Sequence, residues 1–174
     1  PLVPQQGNFN GKRETMTDSL KKEFWDRLED TRTGMLAAGS APAVPMSHFV
    51  EGDSTAPVLW FITAKGTALA EAANSGANAQ YIVSTKDEHL YARIDGHVQA
   101  VNDPAQLDRI WNVMADVWFD GGQHDSDVQL LRMDLKQAEV WLTDGSIKFL
   151  FEVAKAHLTD QQPDRAAKMR HDLE

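Results

Sequence analysis

One stretch of alternating residues constrains the fold of this chain more than any other. From Tyr91 to Val101 the apolar residues Ala92, Ile94, Val98 and Ala100 alternate with Tyr91, Arg93, Asp95, His97 and Gln99. A period of two places the apolar set on one face of a strand and leaves the other face in water. The pattern therefore predicts a long strand in an antiparallel sheet that is covered on one side.

Further short strands accompany this one. Apolar and β-branched runs divided by Ser, Pro, Gly and Asp clusters indicate strands, and we predict them at 35–39, 43–50, 58–63, 80–85, 128–135 and 138–144. The last two are joined by a short Lys136-Gln137 connection. About six antiparallel strands are expected to close, or nearly close, into a barrel.

Helices are predicted at both ends of the chain and in two connections. A first helix, 19–29, follows the caps Asp18 and Ser19, and a short one begins at Thr67. A third starts with Asp103 as cap and Pro104 in its first turn, and its apolar face is Leu107, Ile110, Trp111, Met114, Val117 and Trp118. A fourth starts at Ser146 and carries Ile147, Leu150, Phe151, Ala154 and Leu158. The fold class is α+β.

Length and composition fit one globular domain. The chain has 174 residues, of which 42% are hydrophobic, so it can bury a core without dividing into two domains. We place the domain at 16–158, between a polar N-terminal lead at 1–15 and a polar C-terminal tail at 159–174.

Charge and cysteine content exclude several function classes. The formal net charge of -9 repels nucleic acid and anionic membranes. Without cysteine there is no disulfide, thiolate metal site or thiol nucleophile. No apolar run approaches the roughly 20 residues of a membrane helix, and the first residues are too polar for a signal peptide. We expect a soluble, cytoplasmic protein with no nucleic-acid or membrane partner.

The turn from Thr63 to Thr67 joins a buried strand to an alanine-rich helix and has two interpretations. Hydroxyl groups, Gly66 and Lys65 at a helix start suit an anion. The spacing matches no phosphate-loop motif, so the simpler interpretation is a capped strand-to-helix connection. Sequence patterns alone leave both open.

Several other groups do not form a convincing site. In "GGQHDSD", His124, Asp125 and Asp127 are interpreted as a solvated turn, and we predict no metal site.

No catalytic acid, base or nucleophile is predicted. His48, His89 and His97 lack a ligand spacing and lie on separate elements. Ser47 and His48 are neighbours on a strand and therefore point to opposite faces. The stripe formed by Trp111 and Trp118 is interpreted as core or dimer packing rather than a ligand box.

The order of motifs resembles the pyridoxamine 5'-phosphate oxidase-like FMN-binding split barrels, in particular the general stress protein 26 group. The similarity runs from Ser19 to Ser146. Its most specific parts are W-x-x-M-A-x-x-W-F-x-G-G at 111–122, L-L-R at 130–132 and A-E-V-W at 138–141. This resemblance implies a six-stranded antiparallel split β-barrel with flanking helices, a homodimer, and FMN in a groove between the subunits.

The resemblance also implies positions for the cofactor site. The flavin and its phosphate would run along the strand that holds Pro45, Met46 and Ser47. The backbone of Trp60, Phe61, Ile62 and Thr63 would face the ring, and Lys65 and Thr67 would meet the phosphate. Trp141 matches an aromatic residue that relatives bring from the partner subunit.

Two basic residues that are usual in relatives are replaced in this chain. Val44 stands where an arginine is usual, and Leu69 or Ala68 stands where a lysine is usual. The leading hypothesis is a dimeric FMN-binding redox protein, an FMN-dependent oxidoreductase if it is an enzyme, acting on an unknown small-molecule substrate. The alternative is a non-catalytic dimeric stress or ligand-binding protein that has lost tight FMN binding, as the missing cations favour.

Overall fold

The structure is a computed structural model and describes residues 18–51, 57–87, 89–111, 113–142 and 167–172. Its strands are β1 Thr33–Ala38, β2 Ala41–Ser47, β3 Phe49–Glu51, β4 Val58–Ala64, β5 Ala77–Ser84, β6 Leu90–Val101, β7 Val128–Leu142 and β8 Ala167–Asp172. The α-helices are α1 Asp18–Asp30, α2 Ala68–Asn74, α3 Pro104–Ile110 and α4 Val113–Asp116, and a 3₁₀ turn spans Gly122–His124.

All strand pairs are antiparallel and belong to one curled sheet. The strand order is β2-β1-β5-β6-β7-β4-β3, and β8 pairs along the second half of β7. Strands β2 and β3 follow each other in the chain yet stand at opposite ends of this order, so the sheet must curl until its two ends meet at His48. The predicted α+β split barrel is confirmed, but six strands was too few.

The barrel interior is built from the inward faces of five strands and from α1. Burial on β6 alternates regularly from Leu90 to Val98, so the strand predicted from the alternating pattern is confirmed. The largest fully buried side chains are Tyr81, Phe24, Phe61, Leu28, Leu36, Leu59, Leu90, Ile94, Leu131, Met133, Val83 and Val98. Short α2 packs against β1, β2 and β6 and contributes buried Leu69, Ala70 and Ala73.

A second, smaller cluster covers the outer side of β4. It contains Val58, Trp60, Leu130 and Ile110, the last of these from α3. The sheet is therefore covered on both faces at β4 and the first half of β7. This explains why "VLWFI" is a continuous apolar run rather than an alternating one.

The two strands predicted at 128–135 and 138–144 are one strand, and that prediction was wrong. β7 runs from Val128 to Leu142, and the residue read as a connection, Lys136, is the extra residue of a β-bulge opposite Asp95 and Gly96. A bulge inserts one residue and reverses the inward and outward sides beyond it. The apolar pattern therefore changes phase there, which imitates a break between strands.

The single helix predicted from Pro104 to Trp118 is also wrong, because it is interrupted at Trp111. This residue has an extended backbone, with φ -61° and ψ 133°. Its indole Nε1 donates to Asp116 Oδ1 at 2.6 Å, and its ring lies 5.9 Å from that of Phe119. The side chain thus finds its partners only when the helix ends. Trp118 is 78% exposed and is not core.

Other differences concern boundaries. The strand predicted at 43–50 is divided at His48 into β2 and β3. Six residues of the predicted polar tail, Ala167–Asp172, form β8, whereas the helix predicted from Ser146 to Leu158 lies outside the described residues. None of the helices in the described part of the chain is long and apolar enough to cross a membrane.

The bulge makes a testable demand on Gly96. A Cβ at this position would collide with the Asp134 carbonyl oxygen and lie 3.0 Å from Met133 Cε. We expect Gly96→Ala to lower the free energy of unfolding by about 2 to 3 kcal/mol, because overpacking forces the backbone to shift. Chemical denaturation measures it. Ser84→Ala, on an exposed position of β5, should change stability by less than about 0.5 kcal/mol, and equal effects of the two would contradict the bulge geometry.

Candidate functional site

The barrel is split between β2 and β4. Strand β3 pairs with β4 only as far as Phe49 opposite Trp60, so Phe61–Ala64 is paired with β7 on one side alone. Within the described residues β2 pairs only with β1. The two strands approach each other without pairing. We call the space between these two unpaired edges the β2/β4 groove.

The groove has two defined ends. At one end the chain turns from β2 into β3 at His48, which is buried. At the other end β4 passes through the turn Thr63–Thr67 into α2. An unpaired strand edge presents free backbone N–H and C=O groups, so a ligand with matching donors and acceptors is what this geometry can hold.

The turn Thr63–Thr67, at the α2 end of the groove, is a capped connection. Thr67 has extended backbone, and its Oγ1 accepts from the Ala70 N–H at 3.2 Å and donates to the Ala64 carbonyl at 3.0 Å. Gly66 has φ 76°, and a Cβ there would have no atom within 4 Å. The Thr67 side chain caps the helix, as the simpler of the two sequence interpretations expects. The space beside Gly66 is open.

Lys65 ties this turn to the segment before β7. Its N–H donates to the Asp127 carbonyl at 2.8 Å, and its Nζ donates to the Ser126 carbonyl at 2.6 Å. A carbonyl is neutral, so the bond orients the ammonium without cancelling its charge. The side chain is exposed, and Lys65 therefore places a positive charge at the turn, directed towards the segment before β7. The sequence carries no signal for this long-range tie.

The segment that receives Lys65 is held by Asp125. Its carboxylate accepts from the Asp127 N–H at 2.9 Å and from the Gly121 N–H at 3.1 Å. These backbone hydrogen bonds hold the pKa of Asp125 below its usual value, so the group stays ionised. Among the described residues, no three His, Asp or Glu side chains gather as metal ligands would. Asp125 instead organises a turn.

The residues predicted on β2 divide between the two faces of the strand. Pro45 and Ser47 are exposed on the outer face, whereas Val44 and Met46 are half-buried and pack against the barrel core. All four lie along the unpaired edge of β2, so their backbone borders the groove.

Of the residues predicted on β4, Phe61, Ile62 and Thr63 offer backbone rather than side chains, whereas Trp60 is paired on both sides. The Trp60 indole Nε1 donates to Glu51 Oε2 at 2.6 Å, and the Arg132 guanidinium lies 5.9 Å from the ring centroid. Phe61 is fully buried and its ring centroid lies 5.1 Å from that of Tyr81. Ile62 and Thr63 are half-buried beside the unpaired edge.

Trp141 is not brought to the groove of its own chain. It pairs with Tyr91 near the far end of β7, whereas Thr63 pairs with Gln129 near the start. The separation is about 40 Å along the strand, at roughly 3.3 Å per residue.

The two positions considered for the missing lysine differ sharply. Leu69 is 3% exposed and belongs to the barrel core, whereas Ala68 is exposed at the start of α2. A lysine at Leu69 would replace core packing. Of the two positions, Ala68 is therefore the one from which a lysine could reach the turn.

Comparison with known proteins agrees with this fold. The family described as pyridoxamine 5'-phosphate oxidase like matches residues 19–164. A candidate general stress protein 26 from Jannaschia sp. CCS1 is 45% identical, with a TM-score of 0.71 over 90% of this chain and 99% of that one. A general stress FMN/FAD binding protein from Xanthomonas citri is 37% identical, with a TM-score of 0.67 over 75% of this chain and 93% of that one.

More distant structures share the fold alone. General Stress Protein 26 from Bacillus anthracis has a TM-score of 0.59 at 18% identity, over 72% of this chain and 95% of that one. No curated protein matches significantly. The extent of the family match, with two relatives above 30% identity, establishes that the chain belongs to the pyridoxamine 5'-phosphate oxidase-like family.

Proposed function

We propose that this protein binds FMN in the β2/β4 groove and serves as a flavin-dependent redox protein, acting as a homodimer. The observation that carries the proposal is the pair of unpaired strand edges, which ends at the positively charged Lys65 turn. Similarity to a Xanthomonas citri protein described as FMN/FAD binding supports the choice of a flavin.

The residues present fit the ring part of such a cofactor. An isoalloxazine ring carries carbonyl acceptors and an N–H donor along one edge, and unpaired backbone along β2 and along Phe61–Ala64 offers the complementary groups. The side chain of Phe61 is committed to packing, so this residue would bind through backbone and hold the ring without moving. Trp60 has a strand partner on both sides and would support the ring edge from behind.

The phosphate part fits less strongly. A phosphate carries about two negative charges near neutral pH. The exposed Lys65 ammonium and the Thr63 hydroxyl are suitable donors, and the open space at Gly66 gives room. Asp125 and Asp127 lie in the segment to which Lys65 is bonded and oppose an anion. We therefore expect FMN affinity to depend heavily on Lys65.

Hydride and electron transfer would be supplied by the bound flavin. This chain's own residues bind and orient it, and no side chain is assigned as acid or base. The substrate would be a small molecule that reaches the exposed side of the groove.

A second candidate is a dimeric stress or ligand-binding protein without tight FMN binding. Val44 and Leu69, both packed against or within the core, favour it because neither position supplies a cation. Absence of any flavin binding would support this candidate.

Dimerisation is supported by the outer face of the sheet. Met35 pairs with Pro45 on one side and Ile82 on the other, and Met35 and Ile82 are 40% and 46% exposed. Trp141 lies on the same face of β7. Exposed apolar neighbours such as Met35 and Ile82 are typical of an interface, and the ion pair of Arg93 with Glu139 separates this apolar row from Trp141. A partner packed here could also bring its own Trp141 towards the groove that the first subunit's Trp141 does not reach.

The phosphate contact can be tested by reversing the charge of Lys65. Lys65→Glu should weaken FMN about 10- to 100-fold, since it removes one charge-assisted hydrogen bond, and should change riboflavin binding little, because riboflavin has no phosphate. Quenching of flavin fluorescence measures both constants. Lys136→Glu, the same charge change at the exposed bulge about 25 Å along β7, is the control. Equal losses for both flavins would mean that the turn does not meet phosphate.

A gain of affinity tests the same geometry from the opposite direction. Ala68→Lys should tighten FMN by roughly three- to tenfold, because it adds a cation beside the turn, and should leave riboflavin unchanged. Leu69→Lys should instead lower the free energy of unfolding, since it places an ammonium in the core. The same flavin titration and a denaturation series separate these outcomes. If Ala68→Lys binds FMN no more tightly than wild type, the phosphate lies elsewhere.

Assembly can be measured directly. We expect light scattering at micromolar concentration to give twice the monomer mass of 19.4 kDa, and Ile82→Lys to shift the protein towards monomer by placing a charge in the apolar row. Glu71→Lys, exposed on α2, should not alter the mass. A monomeric wild type would contradict the dimer, and an unaffected Ile82→Lys would place the interface on another surface.

A further inference from the structure

His48 lies at the end of the groove where β2 turns into β3, and its side chain connects this joint to α1 and β5. Its Nε2 is 2.8 Å from the Leu28 carbonyl on α1, and its Nδ1 is 2.7 Å from the Tyr81 hydroxyl on β5. The imidazole and phenol rings meet edge to face at 5.3 Å. A side chain assigned no role from sequence thus holds the joint between β2 and β3.

The Tyr81 hydroxyl has two further neighbours. It lies 2.9 Å from the Met46 carbonyl on β2, and it packs beside the Gly34 backbone on β1. A hydroxyl has one hydrogen to donate. Met46 and His48 Nδ1 therefore compete for it whenever Nδ1 carries no proton.

Counting hydrogens gives two bonding patterns for the same heavy atoms. The Leu28 carbonyl can only accept, so His48 Nε2 must carry a hydrogen. In neutral His48, Nδ1 then accepts, and it takes the Tyr81 hydrogen away from Met46. In protonated His48, Nδ1 donates to the Tyr81 oxygen, and the Tyr81 hydrogen returns to Met46.

We propose that His48 and Tyr81 form a proton-operated latch on β2, in which the protonation state of His48 decides whether the Tyr81 hydroxyl donates to the imidazole or to the Met46 carbonyl. His48 is thus a positioning residue that acts through Tyr81. The latch acts on β2, which borders the groove. The proposal does not depend on flavin binding there.

Burial determines which pattern prevails near neutral pH. Burial lowers the pKa of His48, and the Leu28 carbonyl opposes this only in part. Burial also raises the pKa of the Tyr81 phenol, so Tyr81 keeps its hydrogen. Near neutral pH His48 is therefore neutral and receives that hydrogen, and acid reverses the pattern.

Several charged groups on the neighbouring elements pair with each other. On α1, Arg27 pairs with Glu23 at 2.6 Å. On β3, the Glu51 carboxylate accepts from Trp60 and Gln106 and pairs with Arg109. Tyr81 is the titratable group that touches the imidazole ring from β5.

Acid should also weaken the fold through this residue. The folded-state pKa of His48 lies below its ordinary value of 6.5, so between these two values the unfolded chain binds the extra proton. As pH falls through this window, the unfolding equilibrium constant should rise by up to about tenfold per pH unit. His48→Gln, which keeps an amide donor for Leu28, should lose this component of the slope.

Nuclear magnetic resonance of the full chain tests the latch itself. The ring nitrogens of His48 report its tautomer and protonation, and the Ser47 amide correlates with the Met46 carbonyl carbon. We expect the Nε2–H tautomer at neutral pH and a shift of the Met46 carbonyl with the same midpoint as His48. In Tyr81→Phe, His48 should still titrate while the Met46 carbonyl no longer follows it.

Three results would overturn the latch. They are an Nδ1–H tautomer at neutral pH, a His48 that does not titrate before acid unfolding, and a Met46 carbonyl that is either unmoved at the His48 midpoint or equally responsive in Tyr81→Phe. If His48 were purely structural, its titration would not change the hydrogen bond of the Tyr81 hydroxyl. The Met46 carbonyl would then either not respond to it or respond equally in Tyr81→Phe.

Discussion

The fold depends on one crossing of the chain, where β2 ends and β3 begins at His48. Two consecutive strands lie at opposite ends of the sheet order, so the whole sheet must curl to let them meet. Buried hydrogen bonds from His48 to α1 and β5 hold this joint. An unpaired polar group in the core is costly. Because His48 finds its hydrogen-bond partners only in the folded barrel, these bonds favour the curled sheet.

The same curl creates the groove. Because β3 is short, it leaves part of β4 unpaired, and β2 cannot pair with that edge across the split. The core faces of both strands are packed, so backbone groups are what they offer a ligand. At the far end Lys65 is the exposed cation, and its direction is set by carbonyl groups that Asp125 holds in place. The groove and the barrel are thus formed by the same strands.

Local sequence patterns predicted most of the elements that bury one face and expose the other to solvent. Strand β6 and helices α1 and α2 follow this rule, and so does the start of α3 at Asp103 and Pro104. The rule failed at a helix interruption and at a bulge, neither of which a regular period can express. Trp111 ends its helix to reach Asp116 and Phe119, and the Lys136 bulge changes the phase of β7 within an unbroken ladder. Most of the predicted cofactor residues lie along the groove or in its turn, but Trp60 is paired on both sides and Trp141 is distant along β7.

The sequence by itself determined the antiparallel sheet, the apolar faces and, through its ordered motifs, the family. These follow from residues close together in the chain, whose periodicity and hydrogen-bonding groups act locally. Only the tertiary structure decided that Leu69 is core while Ala68 is accessible, that Lys65 meets Ser126, and that His48 and Met46 share the hydroxyl of Tyr81. Such contacts join residues far apart in sequence, and strand pairing together with the curl of the sheet brings them within bonding distance.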